Sequence, residues 1–194
     1  MSLGLGQIAQ AVAGTPGYAL PPGMEPGMEA EENYVIDDMA FANGTQVVEL
    51  EVDIETGAVD IQNFVVVHDS GTLINPMVVD GQVMGGVAHG IGNALYEWMC
   101  FDETGQPQTT TLAEYLMVTA AEMPSVDIVH METPTHLNPL GVKGVGECGV
   151  VPAAPAIVAA IEDALSPFGV RISHAPVLPG DIVALVREAA SGPA

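Results

Sequence analysis

Between Thr45 and Glu55 the chain alternates without a break: Val48, Leu50, Val52 and Ile54 take one parity, and Glu49, Glu51, Asp53 and Glu55 the other. A period of two lays one set on each face of an extended strand, so this segment is expected to form a half-buried β-strand. Thr56, Gly57 and Ala58 then supply a turn, and Val59 to Val67 runs back as a second strand that becomes continuously apolar at Phe64. The pair predicts a hairpin whose return strand is the more deeply buried.

Helical signals follow. Asn75 before Pro76 is an N-cap followed by the residue best tolerated in a first helical turn, and the helix is expected to run to about Met99. At 100° per residue Met84, Val87, Ile91, Ala94, Leu95 and Trp98 gather on one side, while Gln82, Gly86, His89 and Asn93 align on another. Glycine weakens a helix. Gly81, Gly85, Gly86, Gly90 and Gly92 within one helix therefore imply close packing, either of another backbone or of a bulky ligand. Further expectations are a turn at Thr104 to Gln106, a short helix over Leu112 to Glu122 and a strand over Val126 to Glu132. An apolar helix over Ala153 to Leu165 and a last helix capped by Asp181 and ending near Ala190 complete the set. Strands and helices mix without a regular βαβ alternation, which argues for the α+β class.

Before the hairpin, Gln7 to Ala13 predicts a short helix, and Gly14 to Glu32 carries Pro16, Pro21, Pro22 and Pro26 among glycines and acids. Residues 1–32 thus form an extended arm, and residues 33–194 the domain proper. An arm without its own core is expected to lie along another surface or to belong to a larger fold of which this chain is a part.

Charge restricts the partners. Against 25 Asp and Glu stand only Lys143, Arg171 and Arg187, a formal net charge of -22. Nucleic acid and anionic membranes both require a basic face, so neither is an expected partner. Hydrophobic residues at 48% and a mean hydropathy of +0.36 leave apolar surface for a companion chain. Cys100 and Cys148 match neither a metal-ligand spacing nor a disulfide scaffold, which suits a reduced, cytoplasmic setting. Met1 to Gly14 has no basic residue before its mild apolar stretch and does not read as a secretory signal.

The segment that points to chemistry is Leu140 to Gly149, which holds the only lysine, Lys143, and one acid, Glu147, among four glycines. Gly144, Gly146 and Gly149 satisfy GxGxxG, but Asn138, Pro139, Leu140 and Gly141 stand where a dinucleotide fingerprint needs a buried strand. Two roles for Glu147 remain. It can be a general base whose pKa is raised by burial and lowered by Lys143 or a nearby helix N-terminus, or it can be a cap or ion-pair partner of Lys143.

The combination of Asn75, Pro76 and Met77, then Gly81, Gln82, Gly85 and Gly86, then Asn138 through Glu147, resembles the molybdenum hydroxylases. That family includes xanthine dehydrogenase, aldehyde oxidase and aerobic carbon monoxide dehydrogenase. The resemblance covers nearly the whole chain and is to the end of the large, molybdopterin-binding subunit, arm included, with Pro16, Gly17, Pro22, Gly23, Pro26 and Gly27 matching the segment before the hairpin. It implies that Glu147 is the general base beside the molybdenum in a hydroxylation that takes its oxygen from water. It also implies that the backbone of Gly144, Val145 and Gly146 lies near the metal and Gln82 near the pterin, with Lys143 among the cofactor-binding residues in a supporting role, orienting or charge-balancing the loop. Molybdenum takes no protein ligand in this family. His89 stands where the family often has Gln, and Cys148 is an unusual neighbour for the base.

The implied cofactor is molybdopterin, in the cytosine dinucleotide form, carrying molybdenum, with iron–sulfur clusters and FAD on partner chains. The implied partners are the rest of the large subunit, an iron–sulfur small subunit and an FAD medium subunit, the whole complex forming a homo-oligomer. Alone, the chain is expected to be inactive. The competing expectation is a non-catalytic interaction or assembly module that keeps the fold.

Overall fold

A parity switch in the second strand sets the register of the sheet. Val59 and Ile61 are odd-numbered whereas Phe64, Val66 and His68 are even, yet all must face the same core. A bulge reconciles them. Strand β1 (Asn43–Val52) pairs antiparallel with β2 (Val59–Asp69), and the register shifts between Glu49 and Leu50, which pair with Asn63 and Ile61 and leave Gln62 over. The extra residue returns both halves of β2 to one face. A third strand, β3 (Val126–Met131), lies parallel to β2 on its other side, giving the order β1-β2-β3.

In this computed structural model the described residues are 2–14, 19–29, 31–35 and 38–191, and they fall into two units, one up to Asp37 and one from Asp38 onward. The first carries helix α1 (Leu5–Val12), which buries none of its residues. The described residues 19–29 and 31–35 are non-helical chain with turns, and Gly27 N–H donates to Val12 O at 2.7 Å. Pro16 and Gly17, part of the expected arm, lie outside the described residues.

The second unit holds the core. Helix α2 (Pro76–Leu95) connects β2 to the parallel β3, and α3 (Ala153–Ala164) packs on both α2 and β1. A short 3-10 turn (Ser166–Phe168) and helix α4 (Pro179–Ser191) close it. Phe64 and Val66 from β2, Val83, Val87 and Ile91 from α2, Ile157 and Ile161 from α3, and Ile182 from α4 form one buried cluster. Each such side chain removed from water contributes about 1.5–3 kcal/mol.

Two expectations need correction. Helix α2 stops at Leu95, not Met99, and Trp98 and Met84 are exposed instead of sharing the apolar stripe with Val87, Ile91, Ala94 and Leu95. The N–H groups of Tyr96 and Glu97 both close on Gly92 O, and Thr109 ties down the next turn by donating to Trp98 O and accepting from Cys100 N–H. Leu112 to Glu122 is a pair of isolated turns, not a helix. Glu114 accepts from the amides of Thr110 and Thr111, and Glu122 from that of Thr119. Each is a capping arrangement. Neither is followed by a helix, because Leu112, Leu116 and Met117 have no core to enter and stay exposed.

The glycines of α2 divide by environment. A Cβ on Gly86 would lie 2.7 Å from both Gly149 Cα and Val150 N, whereas one on Gly81 or Gly85 would meet nothing within 4 Å. Gly86→Ala is therefore expected to destabilise by about 1–3 kcal/mol through overpacking. Gly85→Ala should stabilise by about 0.5–1 kcal/mol through helix propensity. Urea denaturation of the two variants side by side measures the contrast.

Candidate functional site

The run Asn138–Gly149 is fixed from three directions. Asn138 first turns it: its Nδ2 donates to Val142 O at 2.8 Å, and its Oδ1 accepts from Val142 N–H at 3.1 Å. Gly141 sits at φ +69°, and a Cβ there would come within 2.8 Å of Pro134 Cβ and Thr72 Oγ1, so conformation and space both require glycine. In the segment 132–143 directly before Gly144 there is no strand, only an isolated bridge between Val142 and Gly71. This agrees with the rejection of a dinucleotide fingerprint.

Asp69 to Thr72, at and just past the end of β2, grips the run next. Thr72 N–H donates to Gly141 O at 3.0 Å and Lys143 N–H to Ser70 O at 2.8 Å. Lys143 Nζ donates to Asp69 Oδ2 at 3.1 Å and Thr133 Oγ1 at 2.8 Å. Asp69, 4% exposed, also accepts from the Gly71 and Thr133 amides and the Thr133 hydroxyl. That hydroxyl first, then the two amides and the ammonium, hold its carboxyl well below the usual carboxylate range against the opposing pull of burial.

The third grip comes from β1 and α2. Gln46 Nε2 donates to Cys148 O at 3.2 Å and Gly149 O at 2.9 Å, while Gly149 presses on Val83 and Gly86 of α2. Its own Oε1 is buried with no partner among the described residues. Gln46→Ala would free two carbonyls, and a loss of about 1–2 kcal/mol is expected, measurable by denaturation.

The expected site residues lie on the clamped turn and on the helix that packs against Gly149. Glu147 is exposed on a turn leading into α3, where its carbonyl accepts from the Val150 and Val151 amides. Gln82, also exposed, is one helical turn from Gly86, which touches Gly149. Gly144 and Gly146 are exposed and a Cβ on either would meet nothing within 4 Å. Two sequence expectations change. Glu147 is not buried, and Lys143 pairs with Asp69 instead of Glu147, so Lys143 secures the run from inside.

Between Lys143 and Cys148 the backbone donors are open. The amides of Gly144, Val145, Gly146 and Glu147 donate to no acceptor among the described residues. A row of such donors on a fixed ridge suits an oxygen-rich, electron-rich group. Among the described residues no three His, Cys, Asp or Glu converge to hold a metal ion, and no helix is long and apolar enough to cross a membrane. Sequence reasoning missed Gln46, Asp69 and Ser70, which act across 73 to 103 residues of chain without a local pattern. The one available signal, that a buried lone lysine needs an acid, names no particular residue among 25 acids.

Known proteins resemble this chain in sequence and fold. The family model of the molybdopterin cofactor-binding domain matches residues 3–124. The nicotine 6-hydroxylase large subunit of Paenarthrobacter nicotinovorans is 39% identical over 84% of this chain and 20% of its own length. The carbon monoxide dehydrogenase large chain of Hydrogenophaga pseudoflava is 36% identical over 79% of this chain and 19% of its own. The crystal structure of quinoline 2-oxidoreductase from Pseudomonas putida 86 superposes with a TM-score of 0.82 at 41% identity, over 87% of this chain and 22% of that one. The chain spans about a fifth of the length of these relatives. With the family model covering more than half of its residues, the chain belongs to the molybdopterin cofactor-binding domain family and corresponds to a region of molybdenum hydroxylase large subunits.

Proposed function

We propose that this chain supplies one wall of the active site of a molybdenum hydroxylase, an enzyme that oxidises a small organic substrate or carbon monoxide with water as the oxygen source. The observation that carries this reading is the exposed Glu147 on a turn clamped by Gln46, Asp69 and Ser70, beside four open backbone amides. When bound, the molybdenum and its pterin, in the cytosine dinucleotide form, supply the two-electron oxidation.

The residues present fit such a group. The ridge Gly144–Gly146 has amide donors for its oxygens and open space at its two glycines, and Gln82 offers an amide side chain on the neighbouring face of α2. Glu147 acts as the general base. It takes the proton that the attacking oxygen must lose, and its fixed turn removes the entropy of searching for it. Lys143 contributes through the run it pins to Asp69.

The remaining part of the large subunit supplies the other walls, with the arm of residues 1–32 lying along it. An iron–sulfur small subunit and an FAD medium subunit carry the electrons away, in a cytoplasmic homo-oligomer of the complex. The test is reconstitution with a polypeptide that supplies the rest of a large subunit. Expected are stoichiometric molybdenum and pterin in the joined complex after gel filtration, turnover of an aldehyde, an N-heteroarene or carbon monoxide, and neither property in the chain alone. Tight cofactor binding by the chain alone would show that its site is complete, and a joined complex without cofactor would overturn the reading.

A further inference from the structure

A continuous line of polar side chains, unused by the proton step, ends at the residue next to Glu147. His130 Nε2 lies 2.8 Å from Asp80 Oδ1, and His130 Nδ1 lies 2.8 Å from His68 Nε2. His68 Nδ1 lies 2.9 Å from Ser70 Oγ, which is 3.7 Å from Cys148 Sγ. The two histidines are register partners on the parallel strands β2 and β3, their rings edge to face with centroids 4.8 Å apart. The line runs from wet to dry: the Asp80 side chain is 48% exposed and that of His130 24%, whereas His68 is 1% and Ser70 3% exposed.

Its polarity follows from one end. A nitrogen–nitrogen hydrogen bond holds a single proton, and a carboxylate can only accept. Asp80 therefore requires a proton on His130 Nε2. In a neutral ring that leaves His130 Nδ1 as an acceptor, so His68 must donate from Nε2. His68 Nδ1 then accepts from the Ser70 hydroxyl, whose lone pairs face the Cys148 thiol at 3.7 Å, Gly144 O at 3.8 Å being the thiol's alternative acceptor. The reverse order would set a lone pair against the carboxylate. Burial first, and then the neighbouring His130, hold the His68 pKa below its ordinary value against the weaker opposite pull of Asp80 and Asp69. The groups facing the pair are thus Asp80 from α2, Asp69 beside His68 and itself paired with Lys143, and Ser70 with Cys148 behind it.

We propose that His68 and His130 are positioning residues: with Asp80 and Ser70 they form a hydrogen-bonded line of fixed polarity that holds the Cys148 thiol and so orients the turn carrying Glu147. The role in turnover rests on the reading of Glu147 as base, whereas the polarity and the state of the thiol do not.

The experiment uses the full chain without cofactor and reads two quantities. Long-range nitrogen–proton NMR of labelled histidines at neutral pH should find both rings protonated at Nε2 only, and Asp80→Ala should abolish that single tautomer at His130. The reaction of Cys148 with 4,4′-dithiodipyridine, with Cys100 as internal reference, should accelerate about tenfold in Ser70→Ala and in Asp80→Ala if the line acts as one network. Asp80 is exposed enough that its variant keeps the fold. A second proton taken up by the pair as the pH is lowered would disturb this one-proton bond, so the wild-type reaction should also accelerate in acid relative to Cys100, a step absent from His130→Gln. A purely structural role predicts no such step. The proposal is overturned if either ring carries its proton on Nδ1, or if Cys148 in Asp80→Ala reacts at the wild-type rate. Neither readout involves the Glu147 carboxylate, so an inactive base assignment and a failed positioning assignment give different results.

Discussion

Glu147→Gln is expected to lower the turnover of the reconstituted enzyme by about 10²–10⁴-fold, the usual contribution of a positioned general base. The substitution keeps the volume and the hydrogen-bonding reach of the side chain and removes only its capacity to take a proton. The fold should not respond, because the Glu147 side chain is exposed and makes no hydrogen bond among the described residues. A loss confined to the chemical step lowers kcat and kcat/KM together while molybdenum content stays at the wild-type level. Equal turnover of the two proteins would remove Glu147 as the base, whatever the cofactor content. Glu147→Asp is the finer comparison: it retains the carboxylate but withdraws it by one methylene, and a partial recovery would place the requirement on proton acceptance as well as reach.

Much of this architecture was legible because local periodicity decides it. The alternation from Thr45 and the continuous apolar run at Phe64 specified the hairpin and the deeper burial of its return strand, since a slip of one residue would expose every apolar side chain. Asn75 and Pro76 marked the start of α2 in the same local way, and the Asn75 side chain does accept from Val78 N–H at 3.3 Å. The glycines of α2 signalled close approach at Gly86, against the backbone of Gly149, and at Gly90, against Ala153, but not at Gly81 or Gly85, which meet nothing. By contrast Leu112 to Glu122 misled because two helix-start patterns, Thr111 with Glu114 and Thr119 with Glu122, each form one turn with no buried face to extend into. The clamp was illegible for a different reason. Gln46 meets Gly149 across 103 residues, Lys143 meets Asp69 across 74, and His130 meets His68 across 62. With 25 acids available, nothing in the order of residues singles out Asp69 as the partner of the one lysine.

The structural counterpart of the Glu147 experiment is Asp69→Asn, which is expected to cost about 3–5 kcal/mol because it leaves the Lys143 ammonium inside without its counter-charge. The two side chains are only 5% and 12% exposed, so water cannot take over the lost interaction. The same pair fixes the direction of a pH effect. Asp69 has its folded-state pKa lowered, first by the Thr133 hydroxyl and then by the Gly71 and Thr133 amides and Lys143. A group with a lowered pKa stabilises fully above its unfolded value, about 3.9, and loses that contribution as pH falls further toward the folded value. As pH falls below about 4 the wild type should therefore lose stability that Asp69→Asn has already lost, and the difference between their unfolding free energies should shrink as acid is added. Denaturant titrations at several pH values measure that difference directly, with the protonation of all other acids common to both proteins. A constant gap across the range would mean that Asp69 is not the charge that holds Lys143. Thr133→Val offers the companion result: it removes the hydroxyl that contributes most to the lowered pKa while keeping the ion pair, so its gap from wild type should be smaller and should also close in acid. Because this pair anchors the run that ends in Glu147, Asp69→Asn should also reduce turnover at pH 7 in the assembled enzyme even where the protein remains folded, through misplacement of the base and not through its loss.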